Sequence, residues 1–171
     1  MPEYEKKILE QVHSQIKVCY QCSTCAGGCP VFRNNPEMNP RLVIAKLQLK
    51  PSEKTIDEQN VWNCCLCFTC SERCPQGVDI VHVLIDLKNL TARRGKTPIG
   101  IFEEMKILNQ TGMTQKITNV VLRRRKKMNL PEVCQPNINE IQRIMELTGY
   151  NALLNLSAES HKNKKNYEVS N

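Results

Sequence analysis

Aromatic residues and long apolar runs are scarce in this sequence of 171 residues. Phenylalanine, tryptophan and tyrosine make up only 5% of it, so the core is expected to be aliphatic or to be organised around a bound group. No run approaches the roughly 18 consecutive apolar residues that a membrane-spanning helix requires. The first five residues lack the apolar segment of a secretory signal, and we therefore expect a cytoplasmic location.

Motifs for bond-making chemistry are also missing. The sequence contains no phosphate-binding loop, no dinucleotide-binding glycine pattern and no nucleophile motif. None of its three histidines, His13, His82 and His161, has a carboxylate or a nucleophile at a spacing that indicates catalysis. We therefore predict that this chain contributes no catalytic residue.

Cysteine, by contrast, is abundant, and eight of the ten cysteines form two copies of one motif. Each copy has spacers of two, two and three residues, and a proline follows its last cysteine. The copies consist of Cys19, Cys22, Cys25 and Cys29 before Pro30, and of Cys64, Cys67, Cys70 and Cys74 before Pro75. In a reducing compartment such a density of cysteines indicates metal ligation or redox chemistry rather than disulfides.

The spacing is that of bacterial-type ferredoxins, in which three close thiolates bind one cubane and the fourth cysteine binds the other. The pattern therefore predicts two [4Fe–4S] clusters with crossed ligands. The first cluster takes three cysteines from the first motif and one from the second, namely Cys19, Cys22, Cys25 and Cys74. The second cluster takes Cys64, Cys67, Cys70 and Cys29.

Two other roles compete for the cysteines. Zinc would use four ligands in two pairs, which leaves the third cysteine and the Cys-Pro step of each motif unexplained. A disulfide framework is the other alternative. Cys65 and Cys134 fall outside the motif spacing, and we interpret both as non-ligands, because a free cysteine is most often a small buried hydrophobe. A second hypothesis is that the Cys65 thiol tunes the second cluster.

Helix signals surround both motifs, and the segment between them shows no convincing strand alternation. An apolar face predicts a helix over residues 3–17, Asn39-Pro40 marks the start of another, and a further helix after Asp79 ends at Gly95. We therefore predict an all-α fold. It would be an α-helical ferredoxin domain with two pseudo-symmetric cluster-binding loops and additional C-terminal helices.

The chain is predicted to have three parts. Residues 1–95 form the two-cluster helical ferredoxin domain, residues 96–150 form a helical C-terminal extension for partner docking, and residues 151–171 form a polar C-terminal tail. From about Asn155 the chain has few apolar anchors, so by itself the tail is expected to be mobile.

The formal net charge of +7 overstates the basicity of the folded protein. Each cluster with its four thiolates adds about −2, so two clusters lower the net charge to about +3. The basic run Arg123–Lys127 lies at a helix end, where cations are favoured, and it has no stacking aromatics beside it. A solvated or partner-facing patch, matched by an acidic partner surface, is therefore favoured over a nucleic-acid site, and we predict no nucleic-acid or membrane partner.

The segments around both motifs resemble the C subunit of the soluble heterodisulfide reductases of methanogens. The resemblance spans residues 16–105 and rests on Cys19–Cys25, Cys29-Pro30-Val31, Asn39-Pro40-Arg41, Trp62–Val78 and the helix Asp79–Gly95. The cysteine motifs alone are shared with succinate dehydrogenase iron–sulfur subunits, anaerobic glycerol-3-phosphate dehydrogenase and lactate-utilisation proteins.

The resemblance implies a division of labour within a complex. In that family the flavin-containing A subunit performs electron bifurcation, and the C subunit relays one branch to a catalytic B subunit. In the B subunit, clusters on CCG motifs cleave the coenzyme M–coenzyme B heterodisulfide during methanogenesis. The implied partners are the A and B subunits, alone or within a larger hydrogenase- or formate dehydrogenase-linked complex.

The sequence agrees with a non-catalytic place in that enzyme. Cys64-Cys65 is followed by Leu66, and no CCG repeat occurs, so the catalytic centre is expected in another chain. The alternatives are a diffusible ferredoxin-like carrier, the equivalent iron–sulfur subunit of another oxidoreductase complex, and a zinc-bearing nucleic-acid module.

Overall fold

The structure is a computed structural model that describes residues 2–49 and 59–169, without the side chains of Gln59 and of residues 163–169. All regular secondary structure in these ranges is helical, which confirms the predicted all-α class. The chain divides into two compact units, Met1–Lys96 and Thr97–Asn171. No helix in the described ranges is long and apolar enough to cross a membrane.

The first unit consists of three longer helices and several short helical turns around the cysteine motifs. Its elements are α1 (Glu3–Ile16), α2 (Thr24–Gly27), α3 (Pro30–Asn34), α4 (Pro40–Leu49), a 3₁₀ helix (Gln59–Asn63), α5 (Thr69–Glu72) and α6 (Ile80–Arg93). Both cysteine motifs lie in this unit. Each is followed by a longer helix, α4 or α6, as the sequence predicted.

The core of the first unit is aliphatic and lies where α1 packs against α4 and α6. Apolar residues recur at helical spacing on the facing sides, and each such side chain contributes about 1.5–3 kcal/mol when it leaves water. The fully buried members include Val12, Ile16, Ile44, Leu47, Leu84, Leu87 and Leu90. This packing explains how a sequence so poor in aromatics builds a stable unit.

Polar side chains start the two helices that follow the motifs. The Asn39 carboxamide oxygen accepts the Leu42 backbone N–H at 3.2 Å before α4. The Asp79 carboxylate accepts the His82 backbone N–H at 3.3 Å at the start of α6. Such caps satisfy donors that have no partner inside the helix and are worth about 1 kcal/mol each. They set where each helix begins relative to its cysteine loop.

A buried ion pair joins the two ends of the first unit. The Arg94 guanidinium donates from Nη2 to Glu5 Oε2 at 2.6 Å and from Nε to Glu5 Oε1 at 2.9 Å. Glu5 is only 1% exposed, and the hydrogen bonds from Arg94 lower the pKa of its carboxyl group below the usual 4.5. The pair ties the start of α1 to the end of α6.

The second unit contains α7 (Ile99–Thr111), α8 (Asn119–Lys127), α9 (Ile138–Leu147) and α10 (Tyr150–Val169). Helices α7, α9 and α10 pack against one another around a small core that includes Phe102 and Met145. The buried hydroxyls of Thr97 and Ser157 are hydrogen-bonded at 3.0 Å. A bond at 2.9 Å also joins His161 Nε2 to the Thr97 carbonyl oxygen.

The C-terminal segment is helical over most of its length. The polar tail predicted over 151–171 lies largely in helix α10, and Ser157, inside it, is completely buried. This burial involves a small hydroxyl, which is hydrogen-bonded to the buried hydroxyl of Thr97. The division of the chain into domains at 1–95, 96–150 and 151–171 stays a prediction.

Candidate functional site

The cysteines of the two motifs surround two cavities in the first unit. The cysteines that border the first cavity are Cys19, Cys22, Cys25 and Cys74. The cysteines that border the second are Cys29, Cys64, Cys65, Cys67 and Cys70. Each cavity therefore combines the first three cysteines of one motif with the last cysteine of the other.

The two cysteine loops have left-handed backbone conformations at the same two positions. Gln21 and Ser23 have φ angles of 63° and 70°, and Leu66 and Phe68 have φ angles of 55° and 60°. Each pair lies two and four residues after the first cysteine of its motif. Left-handed backbone costs a residue with a side chain about 1–2 kcal/mol, and such conformations persist mainly where function requires them. None of the four is a glycine or asparagine, so the sequence carried no signal for this turn.

The second cysteine of each motif is exposed and has a threonine hydroxyl beside it. Cys22 Sγ lies 3.3 Å from Thr24 Oγ1, and Cys67 Sγ lies 3.5 Å from Thr69 Oγ1. These hydrogen bonds are the largest cause of the lowered pKa of both thiols. A lowered pKa favours the thiolate, which is the form that binds metal. In both motifs the threonine precedes the third cysteine, a sequence signal that was overlooked.

The other thiols of the site include buried ones that are costly to ionise without a cation. Burial raises the pKa of the Cys25 and Cys64 thiols, and it raises that of Cys70 to about 11. Cys25 and Cys70 lie inside the short helices α2 and α5. A positively charged iron core beside these sulfurs would offset the cost.

The two loops meet where their last cysteines cross over. Helices α2 and α5 contact each other, and a side chain in place of Gly28 would lie 3.4 Å from Thr69 and Arg73 atoms. Backbone N–H groups of Phe32 and Val78 donate to the sulfurs of the crossing cysteines Cys29 and Cys74, each at 3.4 Å. These two hydrogen bonds hold each sulfur in position beside the residues that follow its cysteine–proline step.

Side chains from the following helices anchor the loops. Gln48 of α4 donates from Nε2 to the Cys19 carbonyl oxygen at 2.9 Å, and Lys88 of α6 donates from Nζ to the Cys64 carbonyl oxygen at 2.9 Å. Gln21 also donates to Gln48 Oε1 at 2.7 Å. Sequence reasoning missed both anchors, because each lies more than twenty residues from the cysteine it contacts.

A hydroxyl–carboxylate network joins the second loop to the start of α6. The Ser71 hydroxyl donates to Asp79 Oδ1 at 3.0 Å and accepts the Val81 backbone N–H at 3.0 Å. Burial raises the pKa of the Asp79 carboxyl, but hydrogen bonds from His82 and Ser71 outweigh it and lower that pKa overall. Asp79 therefore acts here as a charged helix cap.

The remaining cysteines have different surroundings. Cys65 is exposed and borders the second cavity, and its thiol is among the groups that lower the pKa of the Cys67 thiol. Cys134 is exposed in the second unit, and its thiol lies 3.9 Å from the Gln135 carbonyl oxygen. Neither is therefore the small buried hydrophobe that we expected from the sequence, and their assignment as non-ligands stays a prediction.

The donor set of each cavity fits a [4Fe–4S] cluster. Four thiols of the motifs border each cavity, and soft thiolate ligands suit iron–sulfur clusters. Aliphatic side chains such as Ile80 at the first cavity and Leu84 at the second complete the walls. In the described part of the chain, no group of three Cys, His, Asp or Glu side chains has the arrangement that would hold a single metal ion.

Comparison with known proteins gives a family match and several relatives. Residues 15–78, which contain both motifs, match the family model of the 4Fe-4S dicluster domain. The iron–sulfur C subunit of the CoB–CoM heterodisulfide reductase of Methanopyrus kandleri is 31% identical over 145 residues, which cover 81% of this chain and 75% of that protein. Iron–sulfur clusters are thus supported as the cofactor, and the dicluster domain implies two of them.

Two further relatives have related names. The second iron–sulfur C subunit of the CoB–CoM heterodisulfide reductase of Methanocaldococcus jannaschii is 32% identical over 122 residues, covering 71% of this chain and 64% of that protein. The C subunit of the H(2):CoB-CoM heterodisulfide,ferredoxin reductase of Methanothermobacter marburgensis is 28% identical over 164 residues, covering 92% of this chain and 88% of that protein. The similarity therefore extends beyond the cysteine motifs into the second unit.

Proposed function

The chain belongs to the family of iron–sulfur C subunits of CoB–CoM heterodisulfide reductases. From this membership we propose a donor subunit and an acceptor subunit for the electrons that it carries. It is an electron-transfer component of an oxidoreductase. In the proposed reaction it relays electrons through two [4Fe–4S] clusters from a flavin-containing subunit to the catalytic subunit. That subunit reduces the coenzyme M–coenzyme B heterodisulfide in methanogenesis.

The single observation that carries the proposal is the grouping of the cysteines around the two cavities. It supports one cluster on Cys19, Cys22, Cys25 and Cys74, and another on Cys64, Cys67, Cys70 and Cys29. This is the crossed set that the motif spacing predicts. Because each loop lends its last cysteine to the other cavity, the two clusters are held by one interlocked pair of loops.

A bound [4Fe–4S] cluster accepts and donates single electrons, and the chain's own residues prepare its surroundings. Buried Cys25 and Cys70 sit against the aliphatic core, which keeps water from those sulfurs. The exposed sulfurs of Cys22 and Cys67 leave one side of each cavity close to the surface. Electrons can therefore enter or leave from a docked partner without a long path through the protein.

The proposed partners are the CCG-type catalytic subunit, heterodisulfide reductase B, and the flavin-containing subunit, heterodisulfide reductase A. The names of relatives refer to hydrogen and formate as well, which supports a place within a larger hydrogenase- or formate dehydrogenase-linked complex. We keep the extension 96–150 as the proposed docking part.

A surface in that extension has the properties of a docking site. Helix α8 exposes Val120, Val121 and Leu122 at 57%, 44% and 44%, and the basic run Arg123–Lys127 follows directly. We define these residues as the α8 surface. Apolar side chains next to cations suit a partner face that is apolar with an acidic rim.

The test is anaerobic purification of the native protein, followed by gel filtration and by analysis of iron, acid-labile sulfide and zinc. We expect about eight irons and eight sulfides per chain, in a stable complex with a flavoprotein and a CCG-motif protein. Elution of the chain alone would favour the diffusible carrier. A complex with other redox subunits would favour another oxidoreductase, and zinc without sulfide would contradict all three of these electron-transfer functions.

A further inference from the structure

Helices α4 and α6 contact the two cysteine loops through the same helical position. Gln48 is the ninth residue of α4, and Lys88 is the ninth residue of α6. Each donates at 2.9 Å to the carbonyl oxygen of the first cysteine of its motif, Cys19 or Cys64. The same contact is therefore made by a neutral amide at the first cavity and by a cation at the second.

The Lys88 ammonium is held in place rather than free in water. It lies 5.9 Å from the centroid of the Trp62 ring, a cation–π contact. The Trp62 Nε1–H donates to Thr91 Oγ1 at 3.1 Å, and the Thr91 hydroxyl donates to the Lys88 carbonyl oxygen at 2.8 Å. Thr91 is completely buried. A charge fixed in this way, at the edge of a low-dielectric core, is screened less than a surface charge.

The charge acts on the cysteine whose backbone it contacts. The Lys88 Nζ lies 2.9 Å from the Cys64 carbonyl oxygen, so its positive charge is fixed beside a residue that would bind the second cluster. A fixed cation favours any negative charge that is added near it, and it does so more strongly where the surroundings have a low dielectric constant. One-electron reduction of a cluster adds such a charge.

We propose that Lys88 raises the reduction potential of the second cluster, and that Gln48 leaves the first cluster without this contribution. The inference rests on the proposed function, because it requires a cluster in each cavity. Lys88 is a positioning and tuning residue here; it is not a ligand.

The first cavity has a different cation. Arg41 borders it, and the residue at the same helical position in α6 is Val81, which borders the second cavity. The two cations thus occupy non-equivalent positions in the two halves. Removing the charge of Lys88 is therefore expected to move the potential of the second cluster and leave the first at its value.

The experiment is an anaerobic redox titration of the full chain with its native clusters, followed by electron paramagnetic resonance. In Lys88→Gln, which copies the residue at the first loop, one of the two midpoint potentials should shift to a more negative value. Lys88→Arg keeps the charge and should remain close to the wild-type values. Gln48→Lys should shift the other midpoint to a more positive value.

Lys7→Gln is the matched control, because it removes a cation from the exposed face of α1 in the same unit. It should leave both midpoints unchanged. Unchanged midpoints in Lys88→Gln would overturn the proposal, and so would a shift in Lys88→Arg as large as that in Lys88→Gln. If Lys88→Gln does not retain iron, the other two variants decide. An unchanged second midpoint in Lys88→Arg together with a positive shift of the first midpoint in Gln48→Lys supports the proposal. The absence of a shift in Gln48→Lys overturns it.

The failure of this proposal can be told apart from failure of the proposed function. Iron and sulfide analysis of the wild-type chain tests whether both cavities hold clusters, and it precedes the titration. A chain without sulfide would contradict the function itself. Two reducible clusters whose midpoints ignore Lys88 would contradict only the role of this residue.

Discussion

At the scale of the residue, the eight motif cysteines differ in environment although the sequence repeats them identically. Cys25 and Cys70 are buried, and their thiols have raised pKa values, whereas Cys22 and Cys67 are exposed, and theirs are lowered. The second and third cysteines of one motif thus have environments that match those of the other motif. A buried thiol with a pKa of about 11, as at Cys70, becomes a stable thiolate only beside a positive centre.

The crossed ligand set makes a prediction for Cys74. Changing Cys74→Ser should damage the first cluster, although Cys74 lies in the second motif, because its sulfur borders the first cavity. About half of the iron should be lost, and the lost paramagnetic signal should match the one lost in Cys22→Ser. Anaerobic iron analysis and electron paramagnetic resonance measure both quantities.

Two variants are the controls for Cys74→Ser. Cys67→Ser should remove the other signal, and Cys134→Ser should retain both clusters, because Cys134 lies outside the first unit. If Cys74→Ser instead removes the signal that Cys67→Ser removes, the crossed assignment is wrong. A loss of iron in Cys134→Ser would contradict its interpretation as a non-ligand.

At the scale of the element, side chains of the longer helices hold the cysteine loops in place. Helix α4 reaches the first loop through Gln48, and α6 reaches the second through Lys88. Helix α1 packs on both, and its first turn is tied to the end of α6 by Glu5 and Arg94. The geometry of the cavities therefore depends on contacts at the far ends of these helices.

The Glu5–Arg94 pair predicts a loss of stability in Glu5→Gln. Breaking a buried ion pair from one side leaves an uncompensated charge, so the free energy of unfolding should fall by about 3 kcal/mol. Anaerobic denaturation of the cluster-bound protein near neutral pH measures it. The exposed Glu10→Gln on the same helix is the control and should change the free energy of unfolding by less than about 0.5 kcal/mol.

The lowered pKa of Glu5 sets the sign of the pH dependence. Its stabilising contribution is fully present above the usual carboxyl pKa of 4.5 and is lost only as the pH falls through the lower folded-state value. The difference in stability between wild type and Glu5→Gln should therefore be constant from about pH 8 to pH 6. A difference that disappears within this range would show that another group is responsible.

At the scale of the whole molecule, the two units carry different properties. The first contains both cavities, and the second contains the α8 surface, with its exposed apolar residues and its run of cations. About −4 of cluster charge lowers the net charge of the loaded protein to about +3. The positive charge of the α8 surface is therefore a local property and a candidate determinant of partner choice.

The α8 surface predicts that charge reversal weakens assembly without affecting the clusters. In the double variant Arg123→Glu and Arg124→Glu, both exposed, the fraction of chain recovered in the complex should fall at least tenfold, because each charge now repels an acidic partner face. Iron content should stay at the wild-type value. Gel filtration with iron analysis measures both, and the exposed Lys162→Glu on α10 is the control. Undiminished recovery of the complex would exclude this surface as the contact.

Much of the fold and of the candidate site was predictable because its signals are local in the sequence. Helix periodicity and the caps at Asn39 and Asp79 indicated α4 and α6, and the spacing of the cysteines indicated the cofactor class. Helix α10 was missed because its large apolar residues lie in its first two turns and the rest of its sequence is mostly polar. Its buried contact is a small hydroxyl, Ser157, whose partner Thr97 lies 60 residues away, and such a pairing has no periodic signal.

The sequence by itself determined the all-α class and the cysteine pattern typical of two iron–sulfur clusters, because thiolate spacing and helix propensity act between near neighbours. Only the tertiary structure decided which side chains surround the cysteines. The left-handed turns at Gln21 and Leu66, and the anchors Gln48 and Lys88, depend on how the helices pack over the loops. Those contacts join residues far apart in the chain, so they exist only once the aliphatic core has brought α1, α4 and α6 together.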